Sequence, residues 1–334
     1  GEGQVYGTSA RGLAIDVGLP QPEEFPVFRR FWIEQPGAGD DTLRVAALLD
    51  GPQAVGVYQI RLQPGRKTVC QVEAAVFFRR VPAKVGLAPL TSMWMWGDGR
   101  TAPPGDPRPE VHDSDGLLVQ DQNGVWMWRP HSRQPFPSLS RFHFSGVRGF
   151  GLLQRDRDAA SYRDDEARYH ARPHVWIEPA EGWGEGSIEV LELPAEHEGV
   201  DNIAAWWTSD QLPQPGKPLT FKYTVSFGAD EPERPALARA VATRVHRKAG
   251  ASLRVEIDFD GGTLPQMQGD SALRCDVQAQ RGTVADVRVG REARGVWRVS
   301  FDIQPAGSEP VELHATVTHE GRALTETWRY LCPI

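Results

Sequence analysis

Apolar and polar residues alternate with a period of two along most of this chain. Leu43-Arg-Val-Ala-Ala-Leu-Leu49, Val55-Gly-Val-Tyr-Gln-Ile-Arg-Leu62, Thr68-Val-Cys-Gln-Val-Glu-Ala-Ala-Val-Phe-Phe78, Ser187-Ile-Glu-Val-Leu-Glu-Leu193 and Leu219-Thr-Phe-Lys-Tyr-Thr-Val-Ser-Phe227 each gather apolar side chains on one face of an extended backbone. That is the pattern of half-buried strands. Asp50-Gly-Pro52, Pro64-Gly65, Asn123-Gly124 and Pro215-Gly216 stand between such runs and predict turns. Leu253-Arg-Val-Glu-Ile-Asp-Phe259, Ala272-Leu-Arg-Cys-Asp-Val-Gln278, Gly295-Val-Trp-Arg-Val-Ser-Phe-Asp-Ile303, Val311-Glu-Leu-His-Ala-Thr-Val317 and Thr325-Glu-Thr-Trp-Arg-Tyr-Leu331 continue the pattern at the spacing of an immunoglobulin-like sandwich. The polar, proline-bearing stretch Gly228-Ala-Asp-Glu-Pro-Glu-Arg-Pro235 predicts a linker between the two groups. The expected organisation is a large β domain over 1–228, a linker over 229–236 and a small immunoglobulin-like domain over 237–334. Ala236 to Lys248 fits a short helix and a strand equally. Gly97 to Pro109 and Arg155 to Arg172 carry few strand signals, and long loops inside a compact domain are usually functional or disordered.

Composition strengthens the all-β expectation. With 34 Gly and 27 Pro among 334 residues, both above the usual share, many turns and short strands are favoured over helices. Lys and Arg number 37 against 44 Asp and Glu, a net charge of −7, and no block of like charge is long enough to bind a polyanion, so nucleic acid is not an expected partner. No apolar run approaches the length of a transmembrane helix, so a membrane-spanning chain is not expected. The chain begins at Gly1 rather than Met, which leaves a removed leader and a piece of a longer protein both open. Cys70, Cys275 and Cys332 lack metal-ligand spacing and the nine histidines are scattered; no metal and no cofactor are expected. Cys275 and Cys332, expected on outer strands of the C-terminal sandwich, either pair across it in an oxidising compartment or remain buried thiols.

Candidate chemistry centres on tryptophans and acids. Of 11 Trp, nine lie between Trp32 and Trp207, around two acidic stretches, Glu110-Val-His-Asp-Ser-Asp-Gly116 and Val200-Asp-Asn-Ile203. Sugar rings lay apolar C–H faces on aromatic rings while their hydroxyls need polar partners, so this mixture points to a carbohydrate site. Asp113, beside His112 and Glu110 at the entry of a strand, has the setting of a general base, and an Asx-turn is the structural alternative. Asp201 precedes the apolar run Ile203-Ala-Ala-Trp-Trp207; burial against indole would raise its pKa as a general acid requires, and a cap is the alternative. Trp94 and Trp96 share a strand face, as do Trp126 and Trp128, and both sugar platforms and packing between sheets account for that. Trp183, among glycines, is expected on an exposed loop touching a ligand. Arg155, Arg157, Arg163, Arg168, Tyr162 and Tyr169 form a segment expected to close over a glycan, with a solvated loop as the alternative. No dinucleotide loop, phosphate loop or nucleophile elbow is completed.

Ser9-Ala-Arg-Gly-Leu-Ala-Ile-Asp16, Glu24-Phe-Pro-Val-Phe-Arg-Arg-Phe-Trp-Ile-Glu34, Ala88-Pro-Leu-Thr-Ser-Met93, Arg108-Pro-Glu-Val-His-Asp113, Gly149-Phe-Gly-Leu-Leu-Gln-Arg155 and Asp201-Asn-Ile203 together resemble the periplasmic glucan biosynthesis proteins of the OpgG/OpgD (MdoG/MdoD) family. The resemblance runs from end to end and corresponds to the C-terminal two thirds of such proteins. It implies a large twisted β-sandwich of galactose-mutarotase-like type followed by a small immunoglobulin-like sandwich, and a periplasmic location. It further implies action on β-1,2-glucan as an anomer-inverting endo-β-1,2-glucanase or related transglycosylase, with Asp201 as general acid and Asp113 as general base. Expected sugar-binding residues are His112, Glu110, Trp94, Trp96, Trp126, Trp128, Arg155, Arg157, Tyr169, Trp183 and Trp207. The alternative is a non-catalytic factor that guides nascent glucan to the synthesis or branching machinery, the membrane glucan synthase being a candidate partner. An inverting pair needs its carboxyls about 6.5–9.5 Å apart to admit a water.

Overall fold

A computed structural model describes residues 1–234, 236–248, 250–267 and 273–334. Pro235 of the expected linker and Ala272 of an expected strand lie outside the described residues.

The chain is all-β. Period-two patterning becomes period-two burial: along Thr68–Phe78, Cys70, Val72, Ala74, Val76 and Phe78 are buried while Gln71, Glu73 and Phe77 face outward. Such a strand is stable only when its apolar face is covered, and two sheets cover each other here. The smaller is built on Val85–Ser92, Ile203–Ser209, Gly186–Glu192 and Ser138–Phe144 in that order, with the short strands Ser9–Ala10 and Leu13–Ile15 on Val85–Ser92. The larger runs through Trp126–Pro130, Gly116–Asp121, Val147–Leu153, His174–Glu181, Pro218–Gly228, Thr68–Phe78, Ala54–Gln63, Leu43–Asp50 and Val27–Ile33. Leu87, Leu90, Ile188, Val190 and Trp207 from one sheet meet Tyr58, Val72, Phe150, Val175 and Phe221 from the other in the main core.

The opposite face of the larger sheet is covered too. Leu118, Trp126, Trp128, Leu153 and Trp176 join a second core with Val255, Phe259, Trp297, Phe301 and Trp328 from the C-terminal part of the chain. There Arg239–Arg247, Leu253–Asp260, Trp297–Gln304 and Thr283–Arg291 make a four-stranded sheet. Ala236 to Lys248 is thus mostly strand. Its sheet packs on Leu273–Ala279, Val311–His319 and Thr327–Cys332, which continue the larger sheet through a parallel pairing, Met127 with Thr327 and Trp128 with Trp328.

The described part of the expected linker, 229–234 and 236, is less loose than its composition suggests. Glu231 and Arg234 are buried, and Arg155 binds Glu326 at 2.6 Å while Arg234 Nε lies 3.2 Å from the same carboxylate. Arg155 also stacks 3.5 Å over the Trp128 ring. Burial pushes Glu231 upward, but Arg155 and Arg234 outweigh it and hold the carboxyl down at about 2. All three cysteines are free. Cys275 pairs in register with Val317 and Cys332 with Val311, at opposite ends of one intervening strand, so the geometry rules out the cross-sandwich disulfide. No helix among the described residues is long and apolar enough to cross a membrane.

Candidate active site

Asp113 is set by a short ladder at the rim of the main core. Trp94–Trp96 pairs with Val111–His112, and the Asp113 N–H donates to Met93 O at 2.8 Å. The chain then enters Gly116–Asp121, where a side chain at Gly116 would meet Arg129 O at 2.4 Å. The nearby Asp115 ties down a remote stretch: its carboxylate accepts the Arg155 N–H and, at 3.1 Å, the Asp156 N–H. Asp113 instead faces a cation: Arg172 Nη1 lies 2.7 Å from its Oδ1. Burial pushes Asp113 up to about 6; Arg172 and His112 oppose the rise, while Asp201 and Glu198 add to it.

His112 lies behind this carboxylate, fully enclosed. Its Nδ1 is 2.8 Å from Gln154 Oε1, and its Nε2 is 3.0 Å from Glu110 and 3.4 Å from Asp115. Burial disfavours the charged ring, yet Asp115 and Glu110 overcome it and push His112 up to about 9. An oxygen acceptor stands against each nitrogen, a setting that suits an imidazolium donating from both. Glu110, His112 and Asp115 bring one possible donor atom each within 4.8 Å of one another, the donor set of a metal site, and with the ring charged they form a compact charge cluster. Tyr162 packs edge-on over the imidazole at 5.2 Å.

Asp201 sits at the start of Ile203–Ser209, where Asn202 extends the ladder with its side chain. Asn202 Oδ1 accepts from Trp94 N at 2.8 Å and its Nδ2 donates to Trp94 O at 2.8 Å and Leu193 O at 3.1 Å. Asp113 is thus anchored on Met93, and Asp201, through its neighbour Asn202, on the adjoining Trp94. Asp201 is not buried against indole as expected; its side chain is 41% exposed. Its Oδ2 accepts from Thr91 Oγ1 at 2.8 Å and Arg11 Nη2 at 3.0 Å. It opens on a cleft of about 830 Å³ lined by Arg11, Leu13, Phe25, Thr91, Leu193 and Trp206, among others, and Asp113 is not among the lining residues.

Residues 1–332 match the family described as "Periplasmic glucan biosynthesis protein, MdoG". The chain belongs to the MdoG family of periplasmic glucan biosynthesis proteins. It is 45% identical over 348 aligned positions to "Glucans biosynthesis protein D 1" of Ralstonia nicotianae, covering 97% of this chain and 65% of that relative.

Within this MdoG-family fold most of the expected sugar platforms are internal. Trp94 and Trp207 belong to the main core, and Trp96 packs with Met93, Met95, Val111, Tyr162 and Tyr169. Trp126 and Trp128 face the C-terminal strands, since alternation turns Met127 into the main core and its neighbours to the opposite side. Trp183, expected on an exposed loop, is only 7% exposed, and its Nε1 donates to Lys222 O at 2.8 Å. Arg155 is drawn away from the site by Glu326, and Arg157 donates from Nη1 to the carbonyls of His170 and Arg172 while its Nε and Nη2 stay buried and open. Tyr169 is buried under Arg172. In this arrangement His112 is likewise out of reach of a ligand, and Glu110 serves it as a counter-ion.

The segment from Arg155 to Arg172 is packed, not a solvated loop. A short helix, Ala159–Tyr162, and a single turn, Tyr169–Ala171, bury their tyrosines against His112 and Trp96. Four charged neighbours escaped the sequence reading: Arg172, Arg11, Glu198 and Arg108. Arg108 Nη1 bonds Asp164 at 3.0 Å and Glu198 at 2.8 Å, tying that segment to the loop before Asp201. Arg11 and Arg108 fall in the stretches that carry the family resemblance, but only folding shows which carboxylates they face.

Proposed function

We propose that this protein acts on β-1,2-glucan in the periplasm, as an anomer-inverting endo-β-1,2-glucanase or a related transglycosylase. Asp201 is the general acid and Asp113 the general base. A water or glucan hydroxyl gives its proton to Asp113 as its oxygen bonds the anomeric carbon; the glycosidic C–O bond breaks and the leaving oxygen takes the Asp201 proton. The observation that carries this reading is the pair itself: a buried carboxyl and an exposed one on adjoining backbone anchors, close enough that the Asp201 charge helps raise Asp113. A base held at about 6 is ionised at neutral pH and stronger than an ordinary carboxylate, which suits proton removal. Asp201, at the mouth of the cleft, is accessible to a leaving oxygen.

One observation favours the second reading, a glucan-binding factor that hands nascent polymer to the membrane synthase: the cleft beside Asp201 does not include Asp113 among its lining residues. Linear β-1,2-glucan incubated with the parent protein and with Asp201→Asn separates the two. Oligosaccharides from the parent and none from the variant support the enzyme. Equal product from both removes Asp201 from the mechanism, and binding without product from either favours the factor.

A further inference from the structure

Arg172 is held more tightly than a surface arginine needs to be. Its guanidinium stacks 4.6 Å from the Tyr169 ring centre, and Nη2 donates to Ala167 O at 3.1 Å. Its aliphatic stem lies against Gly7, where an added Cβ would fall 3.0 Å from Arg172 Cβ and 3.1 Å from Cδ. The backbone there is pinned as well, by Arg157 on Arg172 O and by Val5 N on Ala171 O at 3.2 Å. Three separate stretches of chain thus aim one cation at Asp113 Oδ1, 2.7 Å away. The contact is off the line of an N–H bond: Asp113 Oδ1 and Arg172 Nε are both buried without a hydrogen-bond partner. Buried polar atoms left open in this way call for a water or a ligand hydroxyl.

We propose that Arg172 is the positioning residue of the Asp113 base: it keeps the buried carboxylate charged, fixes its orientation, and with it frames the seat of the attacking water or sugar hydroxyl. The inference rests on the catalytic reading above for its consequence and on geometry for its content. The charged groups facing Asp113 are Arg172 and His112 on one side of the balance and Asp201 and Glu198 on the other. His112 is already neutralised by Glu110 and Asp115, which leaves Arg172 as the cation directly on the carboxylate. An arginine suits the place because it stays charged at any working pH and its planar head can stack on Tyr169 while facing an acid.

The test compares the parent with Arg172→Met and Arg172→Lys. Turnover of linear β-1,2-glucan is measured from about pH 4 to about pH 9. The Asp113 carboxyl carbon is titrated by NMR in aspartate-labelled protein, assigned from Asp113→Asn. In Arg172→Met the Asp113 midpoint rises by about 1–3 pH units. The acidic limb of kcat moves with it, while KM changes less than about threefold. Arg172→Lys brings the midpoint most of the way back. An Asp113 midpoint unmoved in Arg172→Met overturns the inference. A parent that makes no product while the midpoint still shifts overturns the catalytic reading and leaves the pairing intact. Should the Met variant fail to fold, Arg172→Gln, which keeps a polar head on the stem packed against Gly7, carries the same comparison.

Discussion

Asp113 and Asp201 show how differently one fold treats two carboxyls. Asp113 has lost its water and gained only one direct cation, so its proton is held up to about 6 instead of the ordinary 3.8. A carboxyl raised in the folded state contributes stability that is fully present below its unfolded pKa, near 3.8, and is lost as pH rises through 6. At neutral pH its charge therefore costs stability, on the order of 2–3 kcal/mol. Asp113→Asn is accordingly expected to melt higher than the parent at about pH 8 while losing turnover. The advantage shrinks below pH 6 and is gone near pH 4; a variant that melts lower across the whole range would contradict the assignment. Asp201 is half in solvent, with Arg11 and Thr91 donating to its Oδ2.

At the scale of elements, the site depends on a ladder that outlasts its backbone. Backbone pairing between Ile203–Ser209 and Val85–Ser92 ends at Ile203 opposite Ser92, and the Asn202 amide then takes over by exchanging both hydrogen bonds with Trp94. Asn202→Ala would leave Trp94 N, Trp94 O and Leu193 O without these partners in a buried place. The expected loss is about 2–4 kcal/mol by thermal or urea unfolding, with a larger fall in turnover than in glucan binding because Asp201 loses its anchor. An unchanged melting temperature would show that water replaces the amide. The neighbouring segment from Arg155 to Arg172 has the composition of a solvated loop, yet Tyr162 and Tyr169 are buried in it. Two aromatic anchors at separated positions are not a periodic signal, so no pattern in the sequence distinguishes this packed segment from a mobile one.

For the whole molecule, two buried acids join distant parts. Glu192 takes Arg129 across the gap between the two sheets at 2.8 Å, and Glu231 meets Arg155 and Arg234 where the C-terminal strands dock. Burial works against both charges, but their arginines prevail and each is held at about 2. A depressed carboxyl contributes stability present above its unfolded value of 4.5 and lost as pH falls through 2. Melting temperature is therefore expected to fall steeply from about pH 4.5 downward. Glu231→Gln should remove part of that slope while lowering stability at pH 7 by about 3 kcal/mol, since it leaves two arginines short of a buried partner. A variant with the parent's pH profile would show that Glu231 does not hold the docking.

What the order of residues determined by itself was local. Alternation along runs such as Thr68–Phe78 dictates strands because neighbouring side chains on an extended backbone must point to opposite faces, and glycine- and proline-rich breaks dictate turns. The family blocks also marked Asp113 and Asp201 as the candidates. Tertiary structure alone decided what each face meets. Trp126 and Trp128 share a face in any strand, but only the docking of Trp328 and its neighbours makes that face a core and not a sugar platform. Likewise Arg172 lies 59 positions from Asp113, and nothing local sets its direction; burial, a counter-charge and a stacking ring converge on that acid only when three remote stretches pack together.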